Sequence, residues 1–290
     1  MKEYILFLLP LAVLSLLRNK RKNKDALSNN DDSNATTLTS TSTLKNSVKP
    51  YQRHCIVFGA GNADNWEAKI ENSKDITTSG NLAAELIRKV KETVLKMNNN
   101  MNITITCSSE PSTLVGYSDI VVYPEELVFK VSPKNLSRFI EIITNNKRMD
   151  TNGHIDSLDK QIFKIIKTPW KHLITVCSHT KRDKRCGKIG PQVIDAIQEA
   201  LALKIRESKN HSDNDNDNSG IDCITKVIDT SHIGGHKYAG TLIIYPQSDW
   251  YGLVTAKGDS IYNILNDINA SSEADCYQKC HRGRANLVDW

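Results

Sequence analysis

From residue 50 onward the chain runs through one order of elements twice, and this repetition constrains the fold more than any other feature of the sequence. The first pass predicts a strand over 55–58, a helix over 82–97, a strand over 103–106, two strands around 120–122 and 128–131, and a helix over 134–143. The second predicts a strand over 173–176, a helix over 191–205, strands over 224–228, 241–245 and 252–254, and a helix over 260–268. In the first helix of the second half, Ile194, Ile197, Leu201 and Ile205 recur at helical spacing and should face a sheet. Each half therefore reads strand, helix, strand, strand, strand, helix, an α/β unit with helices on one sheet face. A weakly polar segment, 147–165 around Asp150-Thr151-Asn152-Gly153, separates them, so the expected domains are 50–150 and 165–290.

Composition narrows the function classes. The net charge of +5 is mild, and an aromatic content of 6% offers no stacking platform, so nucleic acid is not an expected partner. Seven cysteines, an odd number spread along the chain, fit metal ligands and free thiols better than the disulfide framework of a small secreted domain. Residues 1–49 read as a targeting segment and a disordered linker. The apolar run from Ile5 to Leu17 is 13 residues, short of the roughly 20 that span a bilayer. Most of the nearby basic residues, Arg18, Lys20, Arg21, Lys22 and Lys24, follow that run instead of preceding it, which suits organellar import or a weak anchor better than a secretory signal. Residues 25–49 are rich in Ser, Thr, Asn and Asp and cannot bury a core.

Two residue pairs carry the chemistry. Cys177 closes the strand-like run His172-Leu173-Ile174-Thr175-Val176, and Cys186 ends the polar loop that follows, with eight residues between them. His232 and His236, with three residues between them, follow the run over 222–229 in Ser231-His232-Ile233-Gly234-Gly235-His236-Lys237-Tyr238-Ala239-Gly240. Both pairs sit where chain leaves a strand, the usual place for ligands in an open α/β sheet. A zinc knuckle draws its cysteines about two to four residues apart, and this loop is too long for one.

The segments Thr175-Val176-Cys177-Ser178-His179, Arg182-Asp183-Lys184-Arg185-Cys186-Gly187 and His232 to Gly240 resemble the sucrase/ferredoxin-like family, from about residue 50 to the end. The resemblance implies tandem thioredoxin-like domains, the C-terminal one a thioredoxin-like 2Fe-2S ferredoxin with histidines in place of the second cysteine pair. It implies Cys177, Cys186, His232 and His236 as cluster ligands, and electron transfer or thiol redox control in mitochondria, in the matrix or the intermembrane space. An oxidised 2Fe-2S core with two thiolates and two neutral imidazoles is near neutral, so it takes an electron more readily than a four-thiolate centre. Rieske centres, with two histidines on one iron, sit at roughly −150 to +300 mV against about −400 mV for plant-type ferredoxins. Lys181, Arg182, Lys184 and Arg185 could guide an acidic partner. His179, two residues after Cys177, is a competing imidazole.

Other readings stay open. A cluster-independent thiol-disulfide oxidoreductase would use Cys276 and Cys280, four apart in the tail segment ending His281-Arg282-Gly283-Arg284, or the N-terminal cysteines. A zinc-stabilised interaction module would be redox-silent. Cys55 and Cys107 read as buried small hydrophobes. Gly59-Ala60-Gly61 begins like a dinucleotide fingerprint but lacks the third glycine and an adjacent helix, and the run 213–218 resembles a calcium loop without its glycine or its closing glutamate. Neither the electron donor, the acceptor nor the oligomeric state can be read from these residues, nor whether the protein is an enzyme.

Overall fold

The central strands are apolar on both faces, and a strand buried on both sides needs a layer above and a layer below. The computed structural model describes residues 44–74, 78–96, 101–145, 147, 149, 155–211 and 225–285, which form a mixed α/β structure with two five-stranded sheets. The first half supplies β1 (Arg53–Val57), α1 (Thr78–Lys96), β2 (Ile103–Cys107), β3 (Ser118–Tyr123), β4 (Leu127–Val131), α2 (Leu136–Thr144), α3 (Ser157–Ile162) and β5 (Ile165–Lys167). The second supplies β6 (His172–Cys177), α4 (Lys184–His211), β7 (Thr225–Thr230), β8 (Leu242–Tyr245), β9 (Asp249–Tyr251), α5 (Ser260–Asn266) and β10 (His281–Arg284). The sheet orders are β2-β1-β3-β4-β5 and β7-β6-β8-β9-β10. In each sheet the first pair is parallel and the rest antiparallel, so the two sheets repeat each other strand for strand.

The two-residue period of a strand then sorts side chains between layers. On β1, Cys55 and Val57 join Leu82, Leu86, Phe139 and Ile143 under α1 and α2, whereas Ile56 joins Leu173, Ile243 and Tyr245 of the other sheet. On β6, Ile174 and Val176 join Val193, Ile197 and Ile264 under α4 and α5, and Leu173 and Cys177 face the first sheet. The layers run helices, sheet, sheet, helices, within the compact unit Leu38–Trp290. The layer between the sheets has an aromatic centre. Tyr123 and Tyr245 stack at 3.9 Å, the Tyr51 and Tyr245 hydroxyls meet at 3.0 Å, and His54 joins the Tyr245 hydroxyl to Thr106. Burial drives the His54 pKa down to about 3, so it serves as a neutral bridge.

Three local differences from expectation have physical causes. Helix α4 starts at Lys184, not at 191, and runs through Pro191. A Cβ on Gly187 would overlap Thr180, and one on Gly190 would overlap the Cys177 carbonyl, so these glycines let the first turns lie against the end of β6. That packing overrides the proline's stop signal. Strand β9 covers Asp249–Tyr251, not 252–254, because Asp249 pairs with His281 and Arg284 of β10. The fifth strands β5 and β10 are unexpected because they are charged or short and show no apolar alternation. Residues 44–49, read as the end of the linker, lie against β10, with Leu44 buried. The apolar run 5–17, the segment 150–153 and the calcium-like run 213–218 fall outside the described residues. No helix among the described residues is long and apolar enough to cross a membrane.

Candidate metal centre

Cys177 is the last residue of β6, in register with Thr230 of β7, and its amide donates to the Thr241 carbonyl at 3.0 Å. Its side chain points into the layer between the sheets, 1% exposed. Cys186 is fully buried in the first turn of α4. His232 is two residues beyond β7, half-buried, with Nδ1 4.0 Å from Cys177 Sγ. The candidate ligand atoms of Cys177, Cys186 and His232 all lie within 4.8 Å of one another. His236 is outside that group and exposed, but its ring centroid is 5.5 Å from that of His232. Between the two imidazoles, Gly234 at φ +95° and Gly235 at φ +73° make a left-handed turn that a side chain would resist.

The two thiols are coupled. The hydrogen bond from Cys186 pulls the Cys177 pKa below the ordinary thiol value, overcoming burial and helped by the His179 and Ile233 amides. The same bond and burial push Cys186 up. Thiols ligate as thiolates, so a metal bound by this pair would displace their protons. Two thiols and a neighbouring pair of imidazoles are soft and borderline donors, with no carboxylate among them. That set fits an iron–sulfur cluster or zinc and does not fit calcium or magnesium.

His179 is not a competing ligand in this arrangement. The His232 amide donates to His179 Nδ1 at 3.2 Å, and the Glu67 carbonyl lies 2.9 Å from Nε2. A carbonyl only accepts, so Nε2 carries the proton and both ring nitrogens are engaged. Burial lowers the His179 pKa and keeps the ring neutral, and Trp66 meets it edge-on at 5.6 Å. The first half, which lacks ligands of its own, thus braces the loop of the second. It does so again at Cys107, whose amide takes the Ser231 hydroxyl and whose carbonyl takes the Ser231 amide. Asp229 adds bonds to the Ser108 hydroxyl and the Ser109 amide, both at 2.8 Å. Sequence reasoning does not reach these contacts, because their partners lie more than a hundred residues apart along the chain. The four basic loop residues are all exposed, and of them Lys181 pairs with Glu67 and Arg185 with Asp183.

The remaining cysteines among the described residues sit elsewhere. Cys55 and Cys107 are buried in the first half's core, with pKa values pushed up to about 12 by burial. Cys276 and Cys280 are also buried and unpaired, and burial pushes Cys280 up to about 11, the reverse of an exchange nucleophile. Cys276 forms a second buried group with Asp249 and His281. There Arg284 already takes both Asp249 oxygens and His281 takes one, so no carboxylate is free for a metal. The glycines of Gly59-Ala60-Gly61 enter a loop of short 3-10 turns, not a helix N-terminus able to receive a pyrophosphate.

The fold and the donor set define a two-sheet α/β protein with two thiols and an imidazole gathered at a strand end, a set that could hold a metal. Residues 44–283 match the sucrase/ferredoxin-like family, and the chain belongs to it. It is similar to altered inheritance of mitochondria protein 32 of Debaryomyces hansenii, 30% identical over 235 residues, 72% of this chain and 74% of that protein. The protein of that name from Candida glabrata is 24% identical over 84% of this chain and 82% of its own. Actin patches distal protein 1 of Saccharomyces cerevisiae is 34% identical over 40% of this chain and 32% of its own. Among solved structures, a thioredoxin-like [2Fe-2S] ferredoxin from Aquifex aeolicus aligns with 40% of this chain and 93% of its own, at 13% identity and a TM-score of 0.26.

Proposed function

We propose that this is a mitochondrial iron–sulfur redox protein, built of tandem thioredoxin-like halves, that holds a 2Fe-2S cluster through Cys177, Cys186, His232 and His236. The observation that carries this reading is the meeting of two buried thiols and an imidazole within 4.8 Å, with a second imidazole on the same loop. Family membership supports it, and the names of the relatives support a mitochondrial setting, in the matrix or the intermembrane space. When bound, the cluster supplies reversible one-electron transfer. The chain's own part is to supply Cys177 and Cys186 as thiolates, to keep water from the two sulfurs, and to present His236 at the exposed side of the site. The exposed basic loop Lys181, Arg182, Lys184 and Arg185 would receive an acidic redox partner, as donor or acceptor.

Anaerobically purified protein should be coloured, with about two irons and two acid-labile sulfides per chain. Cys177→Ser and Cys186→Ser should lose the colour, while Cys55→Ser and Cys107→Ser keep it. Colourless protein holding one zinc would overturn the reading and leave a zinc-stabilised module in its place.

A further inference from the structure

Arg282 of β10 is 2% exposed, yet no carboxylate among the described residues pairs with it. The other well-anchored arginines have one: Arg53 has Glu125 at 2.7 Å, Arg138 has Asp159 at 2.7 Å, and Arg284 has Asp249 at 2.8 Å. Burying an uncompensated guanidinium costs several kcal/mol by general estimates, so such a group persists only where its surroundings hold it. Two kinds of contact hold this one. Its Cζ stands 5.2 Å from the Tyr238 ring centroid and 5.3 Å from that of Trp250. Its Nε donates to the Ser47 hydroxyl at 3.0 Å and its Nη2 to the Ser47 carbonyl at 3.2 Å.

The free edge of the guanidinium is aimed at the turn between the two histidines. Nη1 reaches the Gly234 carbonyl at 3.5 Å, and a Cβ on Gly235 would lie 2.6 Å from Cζ. Gly235 is therefore held to glycine twice, by its left-handed φ and by the arginine beneath it. Tyr238, one of the rings that sandwich the cation, closes the 3-10 turn that His236 opens. The hydrogen bonds of the Arg282 side chain thus lead either to the loop that carries His232 and His236 or to Ser47, and Trp250 of β9 flanks the guanidinium.

We infer that Arg282 is the positioning residue of the histidine loop, seating the Gly234–Gly235 turn so that both rings face one centre, and that its buried positive charge offsets the negative charge that centre gains on reduction. The second clause rests on the cluster reading proposed above; the first does not.

The test compares full-length wild type with Arg282→Lys, which keeps the charge but loses the planar fork, and Arg282→Gln, which loses the charge. In metal-free protein, amide hydrogen exchange of the peptide covering 231–240 should rise about tenfold in both variants, equivalent to about 1.4 kcal/mol of local opening, while α1 and α2 exchange as in wild type. In iron-loaded protein the reduction potential should fall in Arg282→Gln and stay near wild type in Arg282→Lys. Unchanged exchange in both variants would overturn the positioning role, and equal potentials in Arg282→Gln and wild type would overturn the charge role. Should both variants fail to fold, Ser47→Ala removes only the hydroxyl acceptor and should raise exchange at 231–240 by a smaller factor; no rise there would overturn the positioning role. If wild type holds no cluster, the exchange comparison still decides the first clause, and the failure belongs to the cofactor reading alone.

Discussion

His179 shows what a single side chain contributes here without touching a metal. It joins a carbonyl of the first half to the amide of His232, and removing it leaves both polar groups without their partner in a mostly buried place. His179→Ala should therefore cost about 1–3 kcal/mol in denaturant unfolding. Iron content at purification should stay near that of wild type and fall faster on standing, since His232 loses its brace and not its ring. A variant that loses all iron at once would make His179 a ligand after all. The spacing of Cys177 and Cys186, and of His232 and His236, could be read because each pair lies within ten residues of chain. The task of His179 could not, because its partner Glu67 is 112 residues away and a carbonyl oxygen leaves no mark on residue identity.

At the scale of elements, strands with apolar residues on both faces were legible from the chain, and the charged edge strands were not. Strand β10 exists because ion pairs do what apolar alternation does elsewhere: His281 and Arg284 both meet Asp249 of β9, with Cys276 and Tyr251 beside them. Burial works against charging His281, but Asp249 and Cys276 outweigh it and hold its pKa up to about 9. A histidine whose pKa is raised on folding stabilises the fold fully below its unfolded value of about 6.5 and loses that contribution as pH rises through the folded value. Thermal stability should therefore decline between about pH 6.5 and 9, by roughly 1–2 kcal/mol once solvent screening is allowed for. In Asp249→Asn that slope should flatten, and calorimetry across the range checks it. An Asp249→Asn profile as steep as that of wild type would mean that another group titrates.

For the whole molecule, the repeated topology was legible, but not how the two halves meet. Each half alone predicts a sheet with helices on one face, and nothing in the pattern says that the other face of each sheet covers its twin. Ile56, Val121 and Tyr123 of the first sheet and Leu173, Ile243 and Tyr245 of the second share one buried layer, so separating the halves would expose it. Full-length protein should unfold in one calorimetric transition, and residues 165–290 expressed alone should aggregate or bind a hydrophobic dye. Two resolved transitions, with a soluble and folded fragment, would show the halves to be independent.

The clasp between Cys107 and Ser231 has a further consequence. It ties a strand end that bears no ligand to the residue just before His232, so the first half acts as part of the mould in which the second sets. A genetic screen for loss of the proposed centre should then return changes scattered through residues 55–125, far in sequence from Cys177, Cys186, His232 and His236. A worker mapping only the ligands would take those alleles for a separate activity.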